Sequence, residues 1–166
     1  MKFKLVPAAP DAFDFVERAQ RAVPLVPGTE DDCCARLMDR LDLPSRDVAR
    51  TWLTFLRALE LAEETPSGFR RTDVDPTVTG CRAALLDRVF AAEAVRDALD
   101  TDDPRTADDV FETLRGSVPV WERHKNPSRW ESIWRDRVGD LLSWLVLLEA
   151  ADRVDDGDGP ARFVRR

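Results

Sequence analysis

Apolar residues recur at helical intervals through the first part of the chain and predict three helices. The first covers residues 11–23 and is ended by the prolines of VPLVPG. The second covers residues 29–41, where Thr29 precedes three acidic residues that suit the positive end of a helix dipole. The third covers residues 45–59, with Ser45 as its N-cap. The pattern therefore indicates a small domain of helices that each bury one face.

A hairpin is predicted directly after the third helix. The segment LAEETPSGFRRT, which begins at Leu61, contains two short extended runs around a Pro-Ser-Gly turn. The first part of the chain thus has three helices followed by two short strands.

The end of the chain is similar in sequence to this helix and hairpin. TWLTFLRALELAEE, from Thr51, aligns with SWLVLLEAADRVDD, from Ser143. The alignment pairs Trp52 with Trp144, Leu53 with Leu145, Leu56 with Leu148 and Ala58 with Ala150, and it sets acidic residues opposite Asp152, Asp155 and Asp156. With two extra residues in the second turn, Phe69 meets Phe163 and Arg71 meets Arg165. Because an Asp- and Leu-rich composition also produces chance matches, chance similarity is the alternative to duplication.

The second half also contains its own helical segments ahead of the repeat. The pattern predicts a helix over residues 79–99, a helix that Thr106 caps with Asp109 three residues on, a short segment VPVWERHK, and a longer helix from Ser128. We therefore expect two domains, residues 1–76 and residues 77–166.

The chain resembles the winged helix-turn-helix family in tandem, as found in many archaeal regulators. The resemblance rests on the order of the elements and on the residues W-L-x-x-L, an acidic pair and G-F-R-R. The resemblance covers about residues 10–72 and 79–166. It implies a mainly α fold with short β-hairpins, arranged as two winged-helix-like units, and DNA binding through the third helix and the wing of a copy. Many winged helices serve only as protein docking modules, so each copy is interpreted from its own residues.

In the first copy, polar residues form a narrow stripe on the outer side of the third helix, at Arg46, Arg50, Thr54 and Arg57. Such a helix could read the major groove, where arginine recognises guanine with two hydrogen bonds. Arg70 and Arg71 on the wing and Ser45 at the helix N-terminus would contact phosphates. The alternative is that these arginines are solvated and pair with nearby acids.

In the second copy, the same alignment places Val138, Leu142, Val146 and Glu149 at the stripe positions. An apolar helix face must be covered, either by the 79–99 helix, by the other domain or by a second chain. We expect Val138, Leu142 and Val146 to form a homodimer or docking contact.

The segment VWERHKNPSRWESIWRDR, from Val120, mixes five basic residues with Trp121, Trp130 and Trp134. Basic and aromatic residues together can stack and hold nucleic acid. The spacing of Trp130 and Trp134 favours a core role, with the arginines outside.

Composition then indicates the environment. The chain has 32 acidic and 25 basic residues for a net charge of -7, and its basic residues are nearly all arginine. Such an anionic surface keeps a protein dispersed in concentrated salt and is typical of a salt-loving archaeon, an ordinary acidic protein being the alternative.

Candidate chemistry is sparse. Cys33, Cys34 and Cys81 lack metal-ligand spacing and suit buried thiols, and His124 is the single histidine. No phosphate loop or hydrolase motif occurs, so we expect no enzyme activity, metal or cofactor. No apolar run could span a membrane and no signal peptide is evident, which predicts a cytoplasmic protein.

The sequence therefore favours a non-enzymatic, DNA-binding transcriptional regulator of a halophilic archaeon, with double-stranded DNA as its partner. The alternative is a protein-interaction adaptor that uses its winged helices only for docking.

Overall fold

The computed structural model describes residues 2–154 and 157–166. The chain divides into two compact units, Met1–Phe90 and Ala91–Arg166. This division lies later in the chain than the expected boundary after residue 76. The reason is that the helix starting at Val78 packs against the third helix of the first unit.

The first unit contains the predicted three helices and hairpin, followed by a fourth helix. Its elements are α1 (Asp14–Ala22), α2 (Glu30–Leu41), α3 (Arg46–Ala58), β1 (Ala62–Thr65), β2 (Gly68–Arg71) and α4 (Val78–Arg88). Both predicted N-caps are present, since Thr29 Oγ1 accepts the Asp32 amide at 3.1 Å and Ser45 Oγ accepts the Val48 amide at 3.2 Å. The core includes Trp52, whose ring lies 5.1 Å from that of Phe15.

The hairpin of the first unit is tied to the residue that precedes α2. Gly28 and Phe69 exchange two backbone hydrogen bonds, of 2.9 and 2.8 Å. Gly68 adopts a φ of +132°, and a Cβ at this position would collide with the Gly28 carbonyl. Glycine is therefore required where the two backbones meet.

The second unit repeats this plan, with a two-residue strand where the first unit has the single bridge at Gly28, and with an added helix. Its elements are α5 (Ala92–Asp97), β3 (Arg105–Thr106), α6 (Ala107–Leu114), a 3-10 turn (Arg115–Ser117), α7 (Val120–Lys125), α8 (Trp130–Leu147), β4 (Ala151–Val154) and β5 (Arg162–Arg165). The strand order is β3-β5-β4, and both pairings are antiparallel. The predicted capping box is confirmed, because Thr106 and Asp109 cap each other's backbone amides.

The single helix predicted over residues 79–99 is wrong. The chain leaves the helical conformation at Val89, and Ala91 has a left-handed φ of 69° before α5 begins. The break follows from pairing with the chain start, because the Phe3 amide donates to Arg88 (2.8 Å) and the Phe90 amide donates to Phe3 (2.7 Å).

The ends of α3 and α8 have the same geometry and define the register of the repeat. In each unit a leucine is the C-cap just after the helix, a left-handed glutamate follows, and the next amide donates to the carbonyl five residues earlier. The equivalent residues are Leu59 and Leu148, Glu60 (φ 64°) and Glu149 (φ 60°), and the donors Leu61 and Ala150, which bond to Leu56 and Leu145.

Leu148 is therefore equivalent to Leu59, and its predicted match with Leu56 is wrong by three residues. Apolar residues recur about once per helical turn, so a shift of nearly one turn superimposes many of them again. The predicted match of Phe69 with Phe163 is confirmed by strand register, since they face Glu64 and Arg153 respectively. Asp155 and Asp156, which the alignment also used, lie outside the described residues.

Both units bury aromatic and aliphatic side chains, among them Phe55 in the first and Phe111 and Trp144 in the second. Cys33, Cys34 and Cys81 are free and buried, and burial raises the pKa of the Cys81 thiol to about 11. Within residues 2–154 and 157–166, no helix is long and apolar enough to cross a membrane.

Candidate nucleic-acid interface

The predicted arginine stripe lies on the outer side of α3. Arg46 and Arg50 have 49% and 47% of their side chains exposed, whereas Thr54 and Arg57 are partly covered. Leu53, which interrupts the stripe in sequence, is buried. The helix therefore presents guanidinium groups near its N-terminus, where Ser45 forms the cap.

The first turn of α2 supplies acidic partners to the two exposed arginines. Arg46 pairs with Asp31, and Arg50 Nε lies 2.8 Å from Glu30 Oε1. Arg50 also lies within 3.6 Å of Asp47 on its own helix. The start of α3 is thus a network of alternating charges rather than a purely basic surface.

The wing extends this alternation of charge. Arg57 pairs with Glu64 at 3.1 Å, and its guanidinium group lies 5.5 Å from the centre of the Phe69 ring. Arg70 pairs with Glu63, which faces it across the hairpin, at 2.5 Å. Because these residues are paired, positive charge on this side of the unit is largely offset.

The two predicted wing arginines lie on opposite faces of the hairpin, because successive strand residues alternate. Arg70 is about half exposed. Arg71 is partly covered, and its Nε is buried without a hydrogen-bond partner. Arg71 instead lines a recess with Leu25, Val74 and neighbouring acidic residues. Only Arg70 therefore has the exposure expected of a phosphate contact.

In the second unit, the structural register assigns different residues to the stripe. Arg135, Gly139, Ser143 and Val146 are equivalent to Arg46, Arg50, Thr54 and Arg57, each 89 positions later, as Leu148 is to Leu59 (148 − 59 = 89). The expected apolar stripe is therefore a consequence of the misplaced alignment.

Val138 and Leu142 are core residues of the second unit, with 1% and 0% exposure. They are equivalent to Ala49 and Leu53, which are also buried. Helix α8 packs against α5, α6 and β4 of the same unit, and Val146 is partly covered. A dimer contact through Val138 and Leu142 would require an exposure that these residues lack.

The face of α8 that corresponds to the first-unit stripe borders an acidic groove. The groove has a volume of about 640 Å³ and lies between α8, the start of α6 and the second hairpin. Asp108, Asp136 and Asp140 line it. Burial, reinforced by Asp136, raises the pKa of the Asp140 carboxyl. Arg135 is held among Asp108, Glu112 and Glu131, so this face is poorly suited to phosphate.

The three tryptophans of the basic segment have different surroundings. Trp134 is buried, and Trp130 is partly covered, with the Arg123 guanidinium group 4.7 Å from its ring centre. These two support the predicted core role. Trp121 is 51% exposed, which the spacing of the other two did not indicate.

No residues suited to a metal are brought together in the described part of the chain: no three His, Cys, Asp or Glu side chains could hold an ion. His124 is exposed on α7, and the three cysteines are buried.

Each unit combines three helices with a hairpin whose second strand also pairs with residues just before the second helix. These features, present twice, define a tandem winged-helix protein, a class typical of nucleic-acid-binding regulators and typically non-enzymatic. The chain belongs to the halobacterial double winged helix domain family, whose model matches residues 1–163. The family match confirms the tandem winged-helix fold inferred from sequence. Comparisons with curated proteins and with solved structures found no match.

Proposed function

We propose that the protein binds double-stranded DNA through its first unit and acts as a transcriptional regulator in the archaeal cytoplasm. The observation that carries this proposal is the exposure of Arg46 and Arg50 on the outer face of the third helix, beside the exposed Arg70 of the wing. Winged helices insert such a helix in the major groove.

In this arrangement α3 supplies sequence recognition and the wing supplies positioning. Arg46 and Arg50 are one helical turn apart, so they face the same groove and can each read a guanine. Each such contact discriminates against a wrong base by about 1–3 kcal/mol. Arg70 would hold the adjacent phosphate, and the helix N-terminus at Ser45 would hold another.

DNA binding requires the arginines to exchange acidic partners for DNA. Exposed ion pairs contribute only about 0–1 kcal/mol each, and salt weakens them further. The exchange therefore costs little in concentrated salt. Phosphate contacts weaken there too, since about four of them lose ~3.6 decades of affinity for each tenfold rise in salt. Base contacts from α3 must consequently provide much of the affinity.

Fluorescence anisotropy in molar KCl tests the proposal, with duplexes selected from a genomic fragment library. The variant Arg46→Ala/Arg50→Ala should lose at least about tenfold in affinity for the selected duplex. The control Arg21→Ala/Arg40→Ala removes the same charge from exposed positions of α1 and α2 and should bind normally. Absence of sequence-dependent binding by the wild type would refute the proposal.

A protein-docking function is the second candidate, and one observation favours it. Each of Arg46, Arg50, Arg57 and Arg70 has a carboxylate partner within 4 Å, so the face has little net positive charge. A mixed, arginine-rich surface of this kind also suits a protein partner.

The variant Glu30→Gln/Asp31→Asn separates the two functions. It frees Arg46, leaves Arg50 only its contact with Asp47, and removes two negative charges that would face phosphate. At low salt, DNA affinity should rise by up to about tenfold if α3 reads DNA, because the two exposed ion pairs no longer have to be broken. Unchanged or weaker duplex binding would favour docking to a protein.

A further inference from the structure

The loop before the third helix of the second unit contains an inserted helix. In the first unit α2 ends at Leu41 and α3 begins at Arg46, whereas in the second unit residues 115–129 separate α6 from α8. Helix α7 lies within this insertion and contacts α8.

Helix α7 turns polar residues inward and an aromatic residue outward. Glu122 is 6% exposed and lies 3.7 Å from Arg137, and Arg123 lies over the Trp130 ring. On the outer side Val120 and Trp121 are 64% and 51% exposed. The hydrophobic effect alone would favour the reverse orientation, so the exposed apolar residues suit a recognition surface.

The same side of the insertion carries cations without acidic partners. Lys125 follows Trp121 by four residues and lies beside it on the helix, and Arg129 follows in the loop. Both are exposed, and neither forms an ion pair with a carboxylate of residues 2–154 or 157–166. The exposed imidazole of His124 lies beside Val120. The arginines on the α3 face differ, since each of them has an acidic partner.

We define the α7 surface as Val120, Trp121, His124, Lys125 and Arg129. An exposed indole next to unpaired cations matches a nucleotide strand with unpaired bases, because bases stack on the ring and phosphates meet the cations. Stacking does not depend on net charge, so it persists in salt that screens phosphate contacts. In a chain with a net charge of -7, such a cluster of unpaired cations favours a polyanion as the occupant.

We propose that the α7 surface binds single-stranded nucleic acid, with a base stacked on Trp121 and phosphates held by Lys125 and Arg129. This function is separate from duplex binding by the first unit and does not depend on it.

Anisotropy titrations of the full chain with labelled oligo-dT and oligo-rU, each of about 12 nucleotides, test the proposal in KCl from about 0.3 to 2 M. Trp121→Ala should weaken binding about tenfold or more, while Trp121→Phe, which keeps a stacking ring, should retain most of the affinity. Lys125→Ala/Arg129→Ala should reduce the slope of log affinity against log salt by about 1.4, the value for two phosphates on a single strand. Binding of only one of the two oligonucleotides would identify the strand as DNA or RNA and support the proposal.

Two controls keep the two interfaces apart. Val26→Ala removes an exposed apolar side chain of the first unit, outside the α7 surface, and should change strand affinity less than twofold. Arg46→Ala/Arg50→Ala should leave strand binding unchanged even if it abolishes duplex binding. Circular dichroism melting of each variant checks that the fold is intact.

The proposal is overturned if the wild type binds neither oligonucleotide, or if Trp121→Ala binds as tightly as the wild type. It is also overturned if the Arg46→Ala/Arg50→Ala variant loses as much strand affinity as is expected for Trp121→Ala, because the strand would then occupy the first unit. Binding of polyglutamate through Trp121 without binding of either oligonucleotide would identify an acidic protein as the occupant instead.

Discussion

Gly68 lies where the first hairpin meets the segment before α2. Its φ of +132° is strained for any residue with a side chain, and the Gly28 carbonyl occupies the space of a Cβ. Gly139, on α8, has no atom within 4 Å of an added Cβ. A side chain is therefore excluded at position 68, whereas position 139 has room for one.

Gly68→Ala should lower the free energy of unfolding by about 2–3 kcal/mol, through backbone strain and displacement of Gly28. Gly139→Ala, the matched control, should raise it by up to ~1 kcal/mol because alanine favours the helix. Denaturant unfolding in molar KCl measures both. Equal effects of the two substitutions would contradict the described backbone of the hairpin.

Because of Cys81, the stability of the first unit should depend on pH in the alkaline range. Burial raises the pKa of its thiol from 9.0 to about 11. The folded state therefore keeps the proton to higher pH than the unfolded state, so this stabilisation is present below pH 9 and is lost as pH rises to 11. The free energy of unfolding should fall by up to about 2 kcal/mol over that range.

Cys81→Ala should show a smaller loss of stability than the wild type in unfolding titrations across this pH range. Burial also raises the pKa values of Cys33 and Cys34, so the variant should keep part of the dependence. An identical pH profile for wild type and variant would exclude Cys81 as a source.

At the scale of secondary structure, equivalent threonines begin the second helix of both units. Thr29 accepts one amide hydrogen bond, whereas Thr106 takes part in a reciprocal pair with Asp109. Both follow the residue that pairs with the second strand of the hairpin, Gly28 or Arg105. Each cap therefore also sets where the chain passes from strand to helix.

Thr106→Ala should lower stability by about 1 kcal/mol, and Thr29→Ala by the same or less, because only Thr106 has a reciprocal partner. Thr51→Ala, in the interior of α3, serves as the control and should have little effect. Thermal unfolding compares the three variants. A loss for Thr51→Ala as large as that for Thr106→Ala would argue against a capping role.

Elements governed by local chemistry were predictable from sequence. Ser45, Thr29 and Thr106 cap helices where the pattern placed them, and the Pro-Ser-Gly turn forms the hairpin. The break after α4 was missed, because pairing with Phe3 at the far end of the unit causes it. The repeat register was missed because apolar positions recur with nearly the same period.

The candidate site was predictable only in part, because some of its contacts come from other elements of the unit. Helical periodicity places Arg46 and Arg50 on the outer face of α3. Their acidic partners come from α2, which periodicity within one helix cannot reveal. The partial burial of Arg71 depends on which hairpin face meets the rest of the unit.

At the scale of the whole molecule, the chain is two winged-helix units of unequal electrostatic character. The first presents paired arginines on its third helix, and the second presents an acidic groove there and a basic surface on α7. Two units of the same fold thus present surfaces with different chemistry. The extent of the first unit determines which fragment can be studied alone.

A fragment of residues 1–90 should melt at least about 10 °C above one of residues 1–76, since the shorter one lacks α4 and the partner of Phe3. Phe3→Ala should lower the melting temperature of the longer fragment only, because its pairing residues are absent from the shorter. Calorimetry measures both. Equal melting temperatures would instead support a domain that ends at residue 76.

The two hairpins are attached to their units over different lengths. In the first, β2 pairs with Gly28 through Phe69 and bonds to Pro24 through the Arg71 amide. In the second, β5 pairs with both residues of β3 and bonds to Asp100 through the Arg165 amide. The first wing is therefore held by fewer backbone attachments. It can tilt to follow a curved DNA backbone at a smaller cost in energy than the second wing. In amide hydrogen–deuterium exchange, the β2 amides should exchange faster than the β5 amides. The opposite order would mean that the first unit has the stiffer wing.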